Sequence, residues 1–502
     1  MVTLPGKPAS FWIDSTSETN FSTFVDNVLV DVVVVGAGIA GLTAATLLKK
    51  SGKTVAVIES RHVAIGVSGH TTAKVTSLHQ LKYADLIKEF GEGKAKLYAD
   101  SNQAAIEQVA KLVADEQIDC DFSRQSAYTF SEKPENVEKI EAEVAAALKL
   151  GLPASFVKET SLPFPITGAV RFDNQAQFHP RKYLLHLAKN IPGNGSYLFD
   201  ATKVESVDEG TPCQVKTTRG VVKAQDVIVT TNLPILDQGL FFAKAFPKRS
   251  YIVGAPIEPS QAPEGMFIGC DEKYRSIRTT PYQGGLLLLV GGEGHKTGSV
   301  SDTEERYLRL EEYARSRFGV NVEYRWSSQD MVSFDKLPYI GKLTPLSNHT
   351  YVATGFSLWG MSNGTMSGML LAEMILGIKN PWLEVYDSTR ATPFISETSL
   401  KENLDVGRHW VGDRLKGLTS SLSGVANGEG QLVTVDGKKV AAYRDEQGTV
   451  HAVSAVCSHL GCIVDWNKAE KSWDCPCHGA RFTYDGEVIH GPAIADLDKV
   501  SE

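Results

Sequence analysis

Few cysteines, no long apolar run and no excess of positive charge characterise this 502-residue chain. Its net charge of −8 offers no attraction for nucleic acid or an anionic membrane surface. The longest apolar stretches, such as VLVDVVVVGAGIAGL, are interrupted by acid and glycine and fall short of the roughly 20 residues that span a bilayer. The opening MVTLPGKPASFW lacks a basic region, an apolar region and an arginine pair, so no export signal is expected and a cytoplasmic location is. Internal repeats and low-complexity tracts are absent. Of the seven cysteines, Cys120, Cys213 and Cys270 stand alone and read as buried or idle thiols.

The other four cysteines lie close together near the carboxy terminus, in CSHLGC at 457–462 and CPCHGARF at 475–482. Cys457-x-His459 is followed after fifteen residues by Cys475-x-x-His478. A disulfide framework has no use for the histidines, and a reducing compartment argues against one. Zinc held by two Cys and two His is a real alternative, although zinc fingers usually group cysteines in one half and histidines in the other. One Cys and one His from each loop suit a cluster with one thiolate-bound and one imidazole-bound iron.

These boxes resemble those of Rieske iron–sulfur proteins, with the later GPA at Gly491–Ala493 similar to the family's proline loop. The resemblance covers about residues 425–502 and implies a 2Fe–2S cluster held by Cys457, His459, Cys475 and His478. It also implies a disulfide between Cys462 and Cys477, as in the respiratory-complex type. That type has a serine and a tyrosine where this chain has Ala480 and Phe482. Two hydrogen bonds near the sulfurs are thereby lost, which places the expected potential below the top of the Rieske window of about −150 to +300 mV. An exposed imidazole edge of His459 or His478 is expected to be the electron exit.

A second motif lies in the amino-terminal half. LVDVVVVGAGIAGLTAATLLKKSG turns from a β-branched run, suited to a strand buried on both faces, into a helical pattern. Gly36, Gly38 and Gly41 form G-x-G-x-x-G at that turn, beside Ile39 and Ala40. Glu59 follows eighteen residues after Gly41 at the end of TVAVIES. Glycines there permit a tight turn, close approach of a pyrophosphate and helix packing, and the acid takes the ribose hydroxyls.

Glycines alone do not separate FAD from NAD. Downstream segments, however, resemble the glycine/D-amino-acid-oxidase-like (DAO) family of FAD-dependent oxidoreductases over about residues 28–380. ESRHVAIGVSGHTTAKVTS is similar to its second flavin-contacting segment, implying contacts from Ser60, Arg61, Ser68, His70, Thr71 and Thr72. KVESVDEG and VKAQDVIVTTN supply Val204 and Thr231, and YVATGFSLWGMSNG supplies Gly355, Gly360 and Met361. Some dehydrogenases of the family link FAD covalently to a histidine at the place of His70; a noncovalent contact is the alternative. LLLLVGGEGHKTG at 286–298 is a second glycine-rich stretch, but its helical pattern starts only near residue 303, so it is a poor nicotinamide site.

The expected fold is a Rossmann-like α/β FAD domain with an interleaved α+β substrate domain, followed by a small all-β Rieske domain. Residues 1–27 read as an extension packed across the flavin domain, 28–385 as the FAD and substrate domains, 386–425 as a connector and 426–502 as the Rieske domain. KPENVEKIEAEVAAALKLG reads as a solvated amphipathic helix. The resemblance implies a dehydrogenase oxidising a C–N bond of a small amine or amino acid, N-methylated ones included. Electrons would pass from FAD through the cluster to an external one-electron acceptor protein or quinone. An electron-transfer component whose flavin is reduced by another protein is the alternative. Arg171, Tyr251, Arg275, Arg278 and Trp359 are the candidate pocket residues.

Overall fold

The computed structural model describes residues 3–21, 24–391, 403 and 422–500. Most of the expected connector therefore lies outside the described residues. The β-branched run becomes the strand Val28–Val35 at the centre of an eight-stranded sheet, parallel to both of its neighbours. Gly220–Val229 and Thr350–Thr354 lie on one side of it, Val55–Ile58 and Tyr197–Phe199 on the other. Helix Ile39–Lys50 covers one face and packs on helix Gly360–Ile375. Close packing needs the absence of a side chain: a Cβ on Gly368 would lie 2.7 Å from Thr43 Cβ.

A ten-stranded mixed sheet forms the second layer, with Ala245–Ile257, Gly285–Lys296 and Arg275–Tyr282 as consecutive antiparallel neighbours. The amino-terminal segment joins this sheet at its edge, Lys7–Pro8 pairing parallel with Tyr324–Arg325. Phe11 and Trp12 are buried behind it, and the Trp12 indole donates to the Thr71 carbonyl at 2.7 Å. Helix Val137–Lys149 is less solvated than its acidic composition implies. Glu143 is fully buried and accepts from the N–H groups of Lys82, Tyr83 and Ala84 at the start of helix Tyr83–Asp115. Those orphan donors, rather than water, satisfy its carboxylate.

The carboxy-terminal region is all β. Gly430–Val435, Lys438–Arg444 and Val450–Ser454 form one sheet, and Asp465–Asn467, Ser472–Asp474, Arg481–Thr483 and Val488–His490 form another. A separate core, centred on Val464, Trp473 and Phe482, holds this unit together. Among the described residues, no helix is long and apolar enough to cross a membrane.

Candidate functional site

The strand Val28–Val35 ends at Gly36, whose φ of 103° suits glycine. A Cβ there would sit 2.8 Å from the Thr230 carbonyl oxygen, and one on Gly41 would sit 2.1 Å from the Gly36 carbonyl oxygen. The turn therefore exists only as glycine, and it leaves the N-terminus of helix Ile39–Lys50 open towards a cavity. Glu59 is held in register by two backbone donors, Ala37 N–H to Oε2 and Arg61 N–H to Oε1, both at 3.0 Å. A cradle without side chains, a helix N-terminus and a fixed carboxylate fit a dinucleotide such as FAD.

The cavity, about 490 Å³, runs from this turn to the large mixed sheet. All of the sequence-assigned cofactor residues line it except Gly41, His70 and Gly355. Gly41 instead packs the helix onto the turn. Gly355, with φ 76°, makes the bend after strand Thr350–Thr354. The half-buried His70 imidazole has its Nδ1 against the Gly66 carbonyl at 2.9 Å, and desolvation pushes it down to about 4. The ring sits between the lining residues Ser68 and Thr71 without itself lining the cavity.

Of the candidate pocket residues, Tyr251 and Trp359 line the cavity. Tyr251 OH meets His295 Nε2 at 3.0 Å, and the Trp359 ring stacks on His79 at 4.7 Å. The three arginines do not line it. Arg171 is exposed and paired with Asp173 at 2.7 Å; Arg275 is paired with Glu293 at 2.5 Å. Buried Arg278 donates to the carbonyls of Ala73 and Thr72, holding backbone beneath the cavity.

Among the ionisable groups of the wall that sequence reasoning missed are Lys74 and Asp330. Lys74 is buried and donates to Ser276 Oγ at 2.6 Å and to the Phe267 carbonyl, and burial pulls its ammonium well below the usual lysine range. Its only signal was its place in HTTAKVTS. Asp330 accepts from Leu358 N–H at 2.7 Å and Met331 N–H at 2.8 Å, while burial pushes it up to about 6. No local motif surrounds it.

In the carboxy-terminal unit two loops converge. Cys457 N–H donates to the Cys462 carbonyl at 2.8 Å, and Cys475 N–H to the Ala480 carbonyl at 2.8 Å, so each loop folds back on itself. Cys462 and Cys477 form a disulfide across the loops, with Cα atoms 6.5 Å apart. Cys457 and Cys475 remain buried free thiols in hydrogen-bond contact with each other. The rings of His459 and His478 lie perpendicular, 5.1 Å apart. His459 Nδ1 is buried without a partner while its Nε2 meets Asp237 at 2.9 Å. An orphaned ring nitrogen beside two buried thiols and a second imidazole is the donor set a 2Fe–2S cluster requires.

The imidazole edge is not exposed, contrary to expectation. His459 is 5% exposed in its side chain and His478 is 6% exposed. Phe242 of the flavin-bearing part lies against both rings, at 5.8 and 5.3 Å, and Asp237 covers the His459 edge. Docking also uses the second glycine-rich stretch. A Cβ on Gly298 would meet Pro476 N at 2.8 Å, so this loop seats the cluster loop, while Gly291 and Gly292 line the same cavity as the first glycines. Gln329 Nε2 donates to the Gly479 carbonyl at 2.7 Å. Arg249, 1% exposed, and Ser327 both reach Glu470, which accepts at 2.6 Å from Arg481 of its own unit.

Known proteins match this arrangement. Residues 31–374 match the family of FAD-dependent oxidoreductases named DAO, and residues 418–501 match the Rieske [2Fe-2S] domain. The Rieske 2Fe-2S iron-sulfur protein YhfW of Bacillus subtilis (strain 168) is 36% identical over 98% of this chain and 97% of its own length. Gamma-glutamylputrescine oxidoreductase of Escherichia coli (strain K12) is 24% identical over 71% of this chain and 86% of its own length. The crystal structure of glycine oxidase from Geobacillus kaustophilus has the same fold, with a TM-score of 0.62 and 18% identity over 72% of this chain and 99% of that one. This chain belongs to the DAO family of FAD-dependent oxidoreductases and carries a Rieske [2Fe-2S] domain at its carboxy-terminal end.

Proposed function

We propose that this oxidoreductase removes hydride from the carbon beside nitrogen in a small amine or amino acid. The electrons pass on through the Rieske domain to an external one-electron acceptor, a protein or a quinone. One observation carries this reading: the Rieske segment 487–496 supplies part of the wall of the same cavity that the glycine turn opens. Loaded with FAD and a 2Fe–2S cluster, such a chain takes up two electrons together and releases them singly. Cys457, His459, Cys475 and His478 would hold the cluster, and Gly36, Gly38, Glu59 and Thr231 would hold the FAD.

The residues at the mixed-sheet end would handle the substrate. Tyr251 and Trp359 shield that end from water, and Lys74 and Asp330 are the ionisable groups that would orient a polar substrate there. E. coli gamma-glutamylputrescine oxidoreductase, by its name, acts on an amine-bearing molecule, which agrees with C–N chemistry. Anaerobic mixing with a panel of amines, amino acids and their N-methyl derivatives tests the reading by bleaching of the flavin. A panel that bleaches nothing, with a flavin still reducible by another redox protein, would favour the electron-transfer component instead.

A further inference from the structure

The cavity wall contains residues of both domains. Glu487, Val488, Ile489, His490, Gly491, Ala493, Ile494 and Asp496 come from the Rieske unit, and two cavity-lining residues of the flavin-bearing part bond to them. Lys203 Nζ donates to the Ile494 carbonyl at 3.1 Å, and Asn232 Nδ2 meets His490 Nε2 at 2.9 Å. Asn232 stands two residues after Thr230, whose carbonyl touches the space above Gly36. His490 thus lines the same cavity as the glycine turn, where a dinucleotide places its diphosphate.

The direction of that hydrogen bond can be assigned. Asn232 Nδ2 also faces the Gln329 carbonyl at 3.4 Å, so it is the donor, and His490 Nε2 accepts. A neutral imidazole that accepts at Nε2 carries its proton on Nδ1. That N–H has no protein partner among the described residues. Arg61, Arg249, Arg481 and His70 surround the ring, and burial together with these neighbours pushes it down to about 3, so the ring is neutral. Arg61 shares the cavity wall; Arg249 and Arg481 are engaged with Glu470.

We infer that the FAD site is completed by the Rieske domain, with His490 donating its Nδ1–H to the anionic diphosphate of FAD, so that FAD binding and Rieske docking reinforce each other. Linkage makes the coupling reciprocal: whatever factor docking adds to FAD affinity, bound FAD adds to docking. The inference rests on the assignment of the cavity to FAD.

The test strips FAD from the full cluster-bearing chain and titrates it back, following flavin fluorescence. A hydrogen bond to a charged group makes His490→Ala weaken FAD about tenfold, and His490→Asn, whose amide nitrogen replaces Nδ1, recover most of the loss. The electron paramagnetic resonance signal of the reduced cluster should be the same in all three proteins, since His490 is no ligand. Equal dissociation constants for wild type and His490→Ala would overturn the inference. Should the alanine variant misfold, hydrogen exchange on the wild type decides. FAD should protect residues 487–496 relative to the stripped protein, and FAD that quenches on binding without protecting this segment also overturns it. FAD that fails to rebind the stripped wild type would instead count against the cavity assignment.

Discussion

Replacing Glu470 by Gln should loosen the Rieske domain without touching either cofactor. The carboxylate sits on the turn between strands Asp465–Asn467 and Ser472–Asp474 and is the anion shared by Arg481 of its own unit and Arg249 of the mixed sheet. Arg481 keeps Asp474 at 2.8 Å when Glu470 is neutralised. Arg249, 1% exposed, keeps the Ser327 hydroxyl and the more distant Asp474 charge but no bonded carboxylate among the described residues, so the loss falls on the contact between domains. Stranding a buried charge costs about 3–5 kcal/mol. Each 1.4 kcal/mol is about tenfold, so the docked fraction falls relative to the undocked by about a hundredfold or more.

Two measurements check this. Photoreduction of the flavin with a sacrificial donor needs no knowledge of the substrate, and the ensuing reduction of the cluster should slow at least about tenfold in Glu470→Gln while both absorption spectra persist. Adding Arg249→Met removes the stranded charge, so the double variant should regain most of the thermal stability lost by the single one. A single variant that matches wild type within twofold in rate and about 0.5 kcal/mol in stability would refute the argument. The arginines hold Glu470 far below the usual carboxylate range against its desolvation. Its contribution is thus complete above the unfolded value of about 4.3 and lost only as pH falls through the folded one, so docking should survive at pH 4.5.

Alkylation of the denatured, unreduced protein should label Cys120, Cys213 and Cys270 but leave Cys462 and Cys477 unmodified until reductant is added, as mass spectrometry would report. Exchanging His478 for Ala should abolish the cluster's paramagnetic signal and sharply lower turnover with a one-electron acceptor, yet leave substrate bleaching of the flavin intact; undiminished turnover would take the cluster off the path. Asp330, pushed up to about 6, holds a proton in the folded state that it has lost in the unfolded state between about pH 4 and 6. Wild type should therefore lose roughly 2 kcal/mol relative to Asp330→Asn between pH 4.5 and 7.5, which thermal melts at those two values would detect.

The parts legible in the sequence are those where local chemistry allows one solution. A Cβ at Gly36 or Gly41 collides with backbone a few residues or one strand away, so the glycine spacing announces the turn. Two Cys-x-His-type boxes likewise carry their ligand geometry with them. The arginines failed as pocket candidates because their partners are set by register across the sheet. Arg275 pairs opposite Gly292, which brings Glu293 to its guanidinium, and no spacing along the chain reveals that. Glu143 misled for a related reason: an acid on an amphipathic helix looks solvated until another helix places its N-terminus there. The side chains that join the domains left no trace, since Arg249, Glu470 and His490 are each unremarkable among their neighbours.

That joining face covers the imidazole edge expected to be the electron exit. Were their imidazoles outward, the edge would be an exit for electrons, and the flavin would deliver from the thiolate side. Instead Phe242 and Asp237, from the loop that follows Thr231 and Asn232 of the cavity wall, pack on that edge. A single loop of the flavin-bearing part thus runs from the cavity to the cluster ligands. The disulfide and the backbone bonds of Cys457 and Cys475 tie the two histidine-bearing loops together, and ring contacts and a hydrogen bond join them to this loop. In this packing the imidazole edge faces the flavin-bearing part, so electrons passed between the two cofactors would enter the cluster there. An outside acceptor that sought the same edge would have to displace a ring contact and a carboxylate.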